Sequence, residues 1–170
     1  MVCVLGVLLL TSACSSSDGG PTKGPKFEDV KSSVDDLAAR ILPAMAGALD
    51  GEVPGVRGGF TECGVGPNNQ RYTVRGYVQS VFADNAAAAE KIRAILDDAG
   101  LDATIKDDFT VTGTVDDIKV VVHRNVTQGK GFAARNISID TKCRWYSTSD
   151  ADKMKEIPDA DYGAPVSGKS

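Results

Sequence analysis

The most regular stretch of the sequence, residues 135–145, sets the strongest limit on what the chain can fold into. Every second position from Ile137 to Trp145 is apolar, small or aromatic, and the positions between them are polar or charged. Because successive residues of a strand point to opposite faces of a sheet, this alternation predicts a half-buried antiparallel strand. It places Thr141, Cys143 and Trp145 on the core side of that strand.

Other short apolar runs are separated by turn-forming Gly, Asp and Asn residues, as expected for consecutive strands of a sheet. They predict strands at residues 60–63, 70–82, 103–105, 109–114 and 119–124. Residues 47–59 contain several glycines and Pro54, and we interpret them as a connection. Beyond Gly100 the pattern is wholly that of strands.

Two segments have the period of an amphipathic helix. In the first, apolar residues recur at steps of three and four, and these are Phe27, Val30, Val34, Leu37, Ile41, Met45 and Ala48. Pro43 lies inside this run and is expected to kink the helix or end it early. The second helix is predicted to begin after Asp84, a good N-cap residue, and to stop at Gly100.

Together these elements predict an α+β fold in which two helices pack on an antiparallel sheet of about five to six strands. The predicted order along the chain is α-β-β-α-β-β-β-β. We expect this single domain to span residues 27–157. Residues 158–170 are rich in Pro, Gly, Asp and Ser, which predicts a disordered tail.

The first fourteen residues differ in character from the rest. An apolar run from Val2 to Leu10 is followed by small residues and then by Cys14. A run of this length is typical of a secretory signal and is too short to cross a bilayer of about 30 Å. The following residues, rich in Ser, Gly and Pro, predict a flexible tether with a span of roughly 20 Å.

Small residues directly before Cys14, after an apolar run, resemble the lipobox of bacterial lipoprotein precursors. The resemblance implies that residues 1–13 are a signal peptide and that residues 14–26 are a lipidated cysteine with its tether. Acyl chains on Cys14, palmitate among them, would then anchor the protein at the extracytoplasmic face of the cell membrane. The composition is also similar to that of small exported lipoproteins of high-GC Gram-positive bacteria. The alternative is a short buried segment at the start of a cytosolic protein.

The four cysteines divide by position. Cys3 lies in the signal and Cys14 at the lipobox, which leaves Cys63 and Cys143 in the domain. Two cysteines in an exported domain most often form one disulfide. A metal site or a redox pair is the alternative, although the chain has a single histidine and no Cys-x-x-Cys motif.

The charge balance limits the classes of partner. The chain has 19 basic and 23 acidic residues, and its formal net charge is −4. This balance argues against a nucleic-acid binder, which is normally basic. It also argues against attraction to anionic lipid, so we expect membrane contact through the acyl chains on Cys14.

No constellation of catalytic residues is evident in the sequence. His123 is the single imidazole and ends a run of valines, so we interpret it as a strand-edge residue. Adjacent aspartates would point to opposite faces of a strand, and no spacing typical of metal ligands or of a cofactor is found. The segment Gly129-Lys130-Gly131 is interpreted as a flexible hairpin, with an anion cradle as the alternative.

The sequence therefore predicts a non-catalytic, membrane-anchored extracytoplasmic lipoprotein whose small domain binds a protein or another envelope component. The first alternative is a carrier that holds a lipid or another small apolar ligand in a cavity between sheet and helices. The second alternative is an envelope enzyme that uses His123.

Overall fold

The structure, a computed structural model, describes residues 24–64, 66–80, 84–107, 110–125 and 133–163. The helices within these ranges are α1 (Phe27–Ala48), α2 (Asn85–Asp98) and α3 (Thr148–Glu156). The strands are β1 (Gly51–Glu52), β2 (Arg57–Glu62), β3 (Asn69–Ser80), β4 (Asp102–Asp107), β5 (Thr110–Val115), β6 (Ile118–Asn125), β7 (Ala133–Thr141), β8 (Arg144–Trp145) and β9 (Ala160–Asp161).

The strands form one antiparallel sheet in the order β4-β5-β6-β7-β3-β2-β9, and β1 and β8 also pair with β3. The α+β class is confirmed, and the longer elements follow the predicted order from α1 to β7. The sheet is larger than expected, with nine strands among the described residues. The additional strands β1, β8 and β9 have two residues each, too few to produce an alternating pattern in the sequence.

Helix α1 packs its predicted apolar stripe on the sheet. Val34, Leu37, Ile41 and Met45 are at most 2 % exposed and belong to the core cluster. The helix does not end at Pro43 but continues to Ala48. Pro43 lies on the exposed side of the helix, where water can hydrate the carbonyl that the missing N–H leaves without a donor.

Helix α2 begins and ends as the sequence predicts. The Asp84 side chain accepts a hydrogen bond of 3.1 Å from the backbone N–H of Ala87, which caps the first turn. Gly100 follows the helix with a φ of +87°, a conformation that favours glycine. Ile92 and Leu96 are buried against the same face of the sheet that α1 covers.

One prediction for the C-terminal part is wrong. The chain beyond Gly100 is not wholly β, because α3 follows β8. Its apolar signal is weak: Ala151 and Met154 are its buried residues. Within the segment predicted as a tail, Ala160 and Asp161 pair with β2 as strand β9.

Tyr162, directly after β9, joins the C-terminal segment to α1. Its hydroxyl donates a hydrogen bond to Asp35 Oδ1 and lies 3.0 Å from the hydroxyl of Tyr72. Burial raises the pKa of Tyr162 well above its ordinary value, and the hydrogen bonds with Asp35 and Tyr72 raise it further. Lys31 completes the cluster, pairing with Asp35 and lying 5.6 Å from the centre of the Tyr72 ring.

The interpretation of residues 47–59 as a connection holds only in part, because β1 and the start of β2 lie within them. The glycines of β2 are needed for close packing. A Cβ on Gly58 would lie 2.8 Å from the Tyr162 ring, and one on Gly59 would lie 2.7 Å from Asp159 Oδ1. These glycines therefore admit the C-terminal segment and do not mark a loop.

Candidate functional site

The sheet has one face covered by α1 and α2 and a second face that is largely open. We call the second one the open face. It is defined by side chains that alternate with the core residues along β2 to β7 and are half-buried or exposed: Arg57, Thr61, Arg71, Arg75, Tyr77, Gln79, Asp102, Thr104, Thr110, Thr114, Lys119, Val121, His123, Asn136, Ser138 and Asp140. The α3–β9 connection reaches one corner of it, where Asp159 lies against Gly59.

Two arginines lie side by side at the β2–β3 end of the open face. Arg57 and Arg75 are directly opposite each other in the strand register. Arg57 is exposed and forms no ion pair with a described carboxylate, although Asp161 is opposite it in β9. Like charges directly opposite each other in a sheet are unfavourable, so this pair favours an anion supplied from outside.

Arg75 is only partly neutralised within the fold. Its Nε donates a hydrogen bond of 3.2 Å to Thr73 Oγ1, and its Nη2 lies 3.7 Å from Asp140 Oδ1. Asp140 also accepts a hydrogen bond of 2.6 Å from Thr73 Oγ1. The Arg75 side chain nevertheless remains 62 % exposed, so its guanidinium is open to a partner.

His123 lies on the open face, two residues before the end of strand β6. Its ring Nε2 is 3.2 Å from Asn136 Nδ2, and Asn136 and Thr110 are its cross-strand neighbours. Among the described residues, no carboxylate pairs with the ring, and Asn136 is the hydrogen-bond partner that the structure shows for it.

Trp145 does not lie on the core face as the alternation predicts. Thr73 pairs with Asp140 and Gln70 pairs with Arg144, so the β7–β8 chain has one residue more than β3 between these pairs. Such a bulge moves the following residues to the opposite face. Trp145 is 64 % exposed as a result, and it is the exposed large hydrophobic residue of the part of the chain that the structure describes.

The same bulge contains one partner of the cysteine pair. The Sγ atoms of Cys63 and Cys143 are 2.04 Å apart, at disulfide distance. Cys143 is exposed and Cys63 half-buried, so the expectation that Cys143 faces the core is wrong. The pair links the end of β2 to the β7–β8 junction at the surface. Cys14, the predicted lipidation site, lies outside the described residues.

A shallow pocket of about 180 Å³ lies beside the start of α1. Its lining includes Val30, Ile118 and Arg144. Arg144 and Lys142 both pair with Asp117, Lys142 Nζ at 2.7 Å. The hydrogen bond from Lys142, aided by the charge of Arg144, lowers the pKa of Asp117. Typical small-molecule sites have volumes of about 300–1,000 Å³, so this pocket is small for a carrier.

Sequence reasoning missed the basic part of the open face. Each arginine occupies an ordinary polar position of a strand, and only the register of β2 on β3 shows that Arg57 and Arg75 are neighbours. Trp145 was recognised as an aromatic residue but assigned to the wrong face. The segment Gly129-Lys130-Gly131 lies outside the described residues.

Across the described ranges, no helix has the length and apolarity needed to cross a bilayer. In the same ranges no three His, Cys, Asp or Glu side chains are grouped as metal ligands. Comparison of the chain with protein-family models, curated proteins and solved structures finds no match.

Proposed function

We propose that the chain is a lipid-anchored extracytoplasmic protein that binds an acidic protein partner of the cell envelope through its open face. The observation that carries the proposal is the adjacent pair Arg57 and Arg75, exposed on a sheet face of a chain whose net charge is −4. The lipid on Cys14 restricts the domain to the membrane surface, and the tether gives it reach. The proposed activity is binding, in which no covalent bond is made or broken.

The anchor is supported by the order of segments at the start of the sequence. An apolar run, small residues, Cys14 and a Ser/Gly/Pro-rich stretch follow one another, and α1 begins at Phe27 directly after them. A tether of this length gives the domain a reach of roughly 20 Å. The cysteine pair fits an exported domain, because disulfides persist in oxidising compartments.

A protein partner is favoured by the residue types at the surface. Binding energy at protein interfaces is concentrated in Trp, Tyr and Arg side chains. The open face has Arg57, Arg75 and the half-buried Tyr77, and Trp145 is exposed on the same side of the sheet. Acidic side chains of the partner would pair with the arginines, which raises the association rate and fixes orientation.

The carrier and enzyme alternatives receive less support. The pocket beside α1 is small, and two of its charged residues, Asp117 and Arg144, already pair with each other. His123 contacts an amide and no described carboxylate. The carrier is an outcome that the intact mass of the extracted chain can detect.

The anchor is tested by the intact mass of the full chain extracted gently from its own membrane. The proposal predicts a chain that begins at Cys14 and has the added mass of its acyl groups. An unmodified chain that begins at Met1 would refute the anchor. A non-covalent ligand of small-molecule size would favour the carrier.

The face is tested with poly-L-glutamate as an acidic polypeptide probe. We expect the detergent-extracted full chain to bind it, with an affinity that falls as salt rises. Arg57→Glu should weaken binding about tenfold or more, the loss expected for a charge-assisted hydrogen bond. Arg40→Glu, an exposed site on α1, makes the same charge change elsewhere. Equal binding by the two variants would contradict the assignment of the face.

A further inference from the structure

A buried arginine on the helix-covered side of the sheet has no acidic partner. Arg135 of β7 is 4 % exposed, and its side chain belongs to the face that α1 and α2 cover. Its single described hydrogen bond joins Nη2 to Asn85 Oδ1 at 3.4 Å. Nη1 is buried and has no hydrogen-bond partner, and no described carboxylate pairs with the guanidinium.

Arg135 faces a second arginine across the sheet. Arg124 is directly opposite it in β6, and these two are cross-strand neighbours at the end of the sheet. Burial lowers the pKa of Arg135, and the charge of Arg124 lowers it further. A guanidinium nevertheless keeps its proton in proteins, so this charge must be neutralised by an anion or remain buried and unpaired.

The guanidinium lies at the N-terminus of a helix. Asn85, which accepts from Nη2, is the first residue of α2, a helix of 14 residues. The N–H groups of a first helical turn lack intrahelical partners, and the aligned peptide dipoles favour negative charge there. The Asp84 carboxylate is exposed and accepts a hydrogen bond from the N–H of Ala87, and it forms no ion pair with the Arg135 guanidinium.

We propose that Arg135, Arg124 and the N-terminus of α2 form a binding site for a phosphate group, either as the free ion or as the terminal group of a larger ligand. A guanidinium fork matches the oxygens of a phosphate in a bidentate arrangement, and a helix N-terminus supplies further donors. Because Arg135 is only 4 % exposed, we expect a small terminal group to reach it more readily than a protein side chain. The site is independent of the open face, which lies on the opposite side of the sheet.

Thermal unfolding of the detergent-extracted full chain in inorganic phosphate tests the proposal. A ligand that binds only the folded state raises the unfolding midpoint as its concentration exceeds the Kd. We expect the midpoint to rise with phosphate but not with sodium chloride of equal ionic strength. A parallel titration with glycerol 3-phosphate distinguishes the source: tighter binding than phosphate indicates the terminal group of a larger ligand, and equal or weaker binding indicates the free ion.

Arg135→Met removes the buried charge and keeps most of the side-chain length. We expect it to weaken the phosphate effect about tenfold or more, and to leave the chain folded because an unpaired buried charge is lost. Arg40→Met on the exposed side of α1 is the matched control and should respond as the wild type does. A wild type that does not respond to phosphate, or an Arg135→Met variant with the wild-type response, would overturn the site. Arg124→Met is a second test variant. It removes the positive charge opposite Arg135 and should also reduce the rise of the unfolding midpoint in phosphate.

Discussion

Removal of the predicted disulfide between Cys63 and Cys143 is expected to lower stability substantially. The two residues are separated by 80 positions, so the bond closes most of the domain into one loop. In the chain-entropy model a loop of about that size restricts the unfolded chain by roughly 4.5 kcal/mol. Because Cys143 is exposed and Cys63 only half-buried, serine at both sites should cost little packing. The loss should therefore arise mainly in the unfolded state.

Urea unfolding of wild type and the Cys63→Ser/Cys143→Ser double variant measures this loss. We expect a fall of about 4 kcal/mol in the free energy of unfolding, with a larger m-value because the unfolded chain expands. For a domain of about 140 residues the unfolding entropy is about 0.3 kcal/mol per kelvin, so the midpoint should fall by about 15 °C. A reducing agent should produce the same shift in wild type and none in the double variant.

A decrease of less than about 1 kcal/mol in the free energy of unfolding would refute the reasoning. The bond would then not stabilise the fold mainly by restricting the unfolded chain. An unchanged m-value together with a large decrease would place the effect in the folded state.

Two further changes test the core and the C-terminal attachment. Ile41→Ala removes a side chain that is 1 % exposed, and calorimetry should show a loss of about 2–5 kcal/mol; a loss near zero would contradict the packing of α1. Tyr162→Phe removes the hydrogen bonds with Asp35 and Tyr72 and should cost about 1–3 kcal/mol near neutral pH. The folded Tyr162 has a raised pKa and keeps its proton when the unfolded one loses it, so stability is retained below pH ~10 and falls above it. That alkaline decline, measured by urea unfolding at several pH values, should be shallower in Tyr162→Phe, and equal slopes would refute the role of this hydroxyl.

Local patterns in the sequence were sufficient to predict the longer elements. The apolar stripe of α1 and the Asp84 cap of α2 are set by residues within one helix, and both are found as predicted. Alternation likewise identified the principal strands. These signals are local, so neighbouring residues alone determine them.

The errors occur where distant contacts determine the structure. Helix α3 has only Ala151 and Met154 to bury, so its period is nearly invisible in the sequence. Gly58 and Gly59 suggest a loop until the C-terminal segment is placed on them. Trp145 changes face because of one extra residue in the β7–β8 chain, and a bulge has no fixed sequence signature.

The candidate site was hidden for the same reason. Arg57 and Arg75 lie on consecutive strands and become neighbours only through the register of β2 on β3. Similarly, Nη1 of Arg135 has no hydrogen-bond partner among the described residues because of the residues that the fold places around it, and these are not evident from the sequence. Composition gave a net acidic chain and could not show which of its positive side chains the fold places beside one another.

Site-specific photo-cross-linking in the producing cells tests the central claim most directly. A photo-reactive residue replaces Ser138, at the centre of the open face, and in a second strain it replaces the exposed Arg40 on α1. The account predicts that position 138, but not position 40, forms one major adduct with an acidic envelope protein, and that Arg57→Glu reduces its yield. Equal adducts from both positions, or none from position 138, would contradict the assignment of the open face as the binding surface.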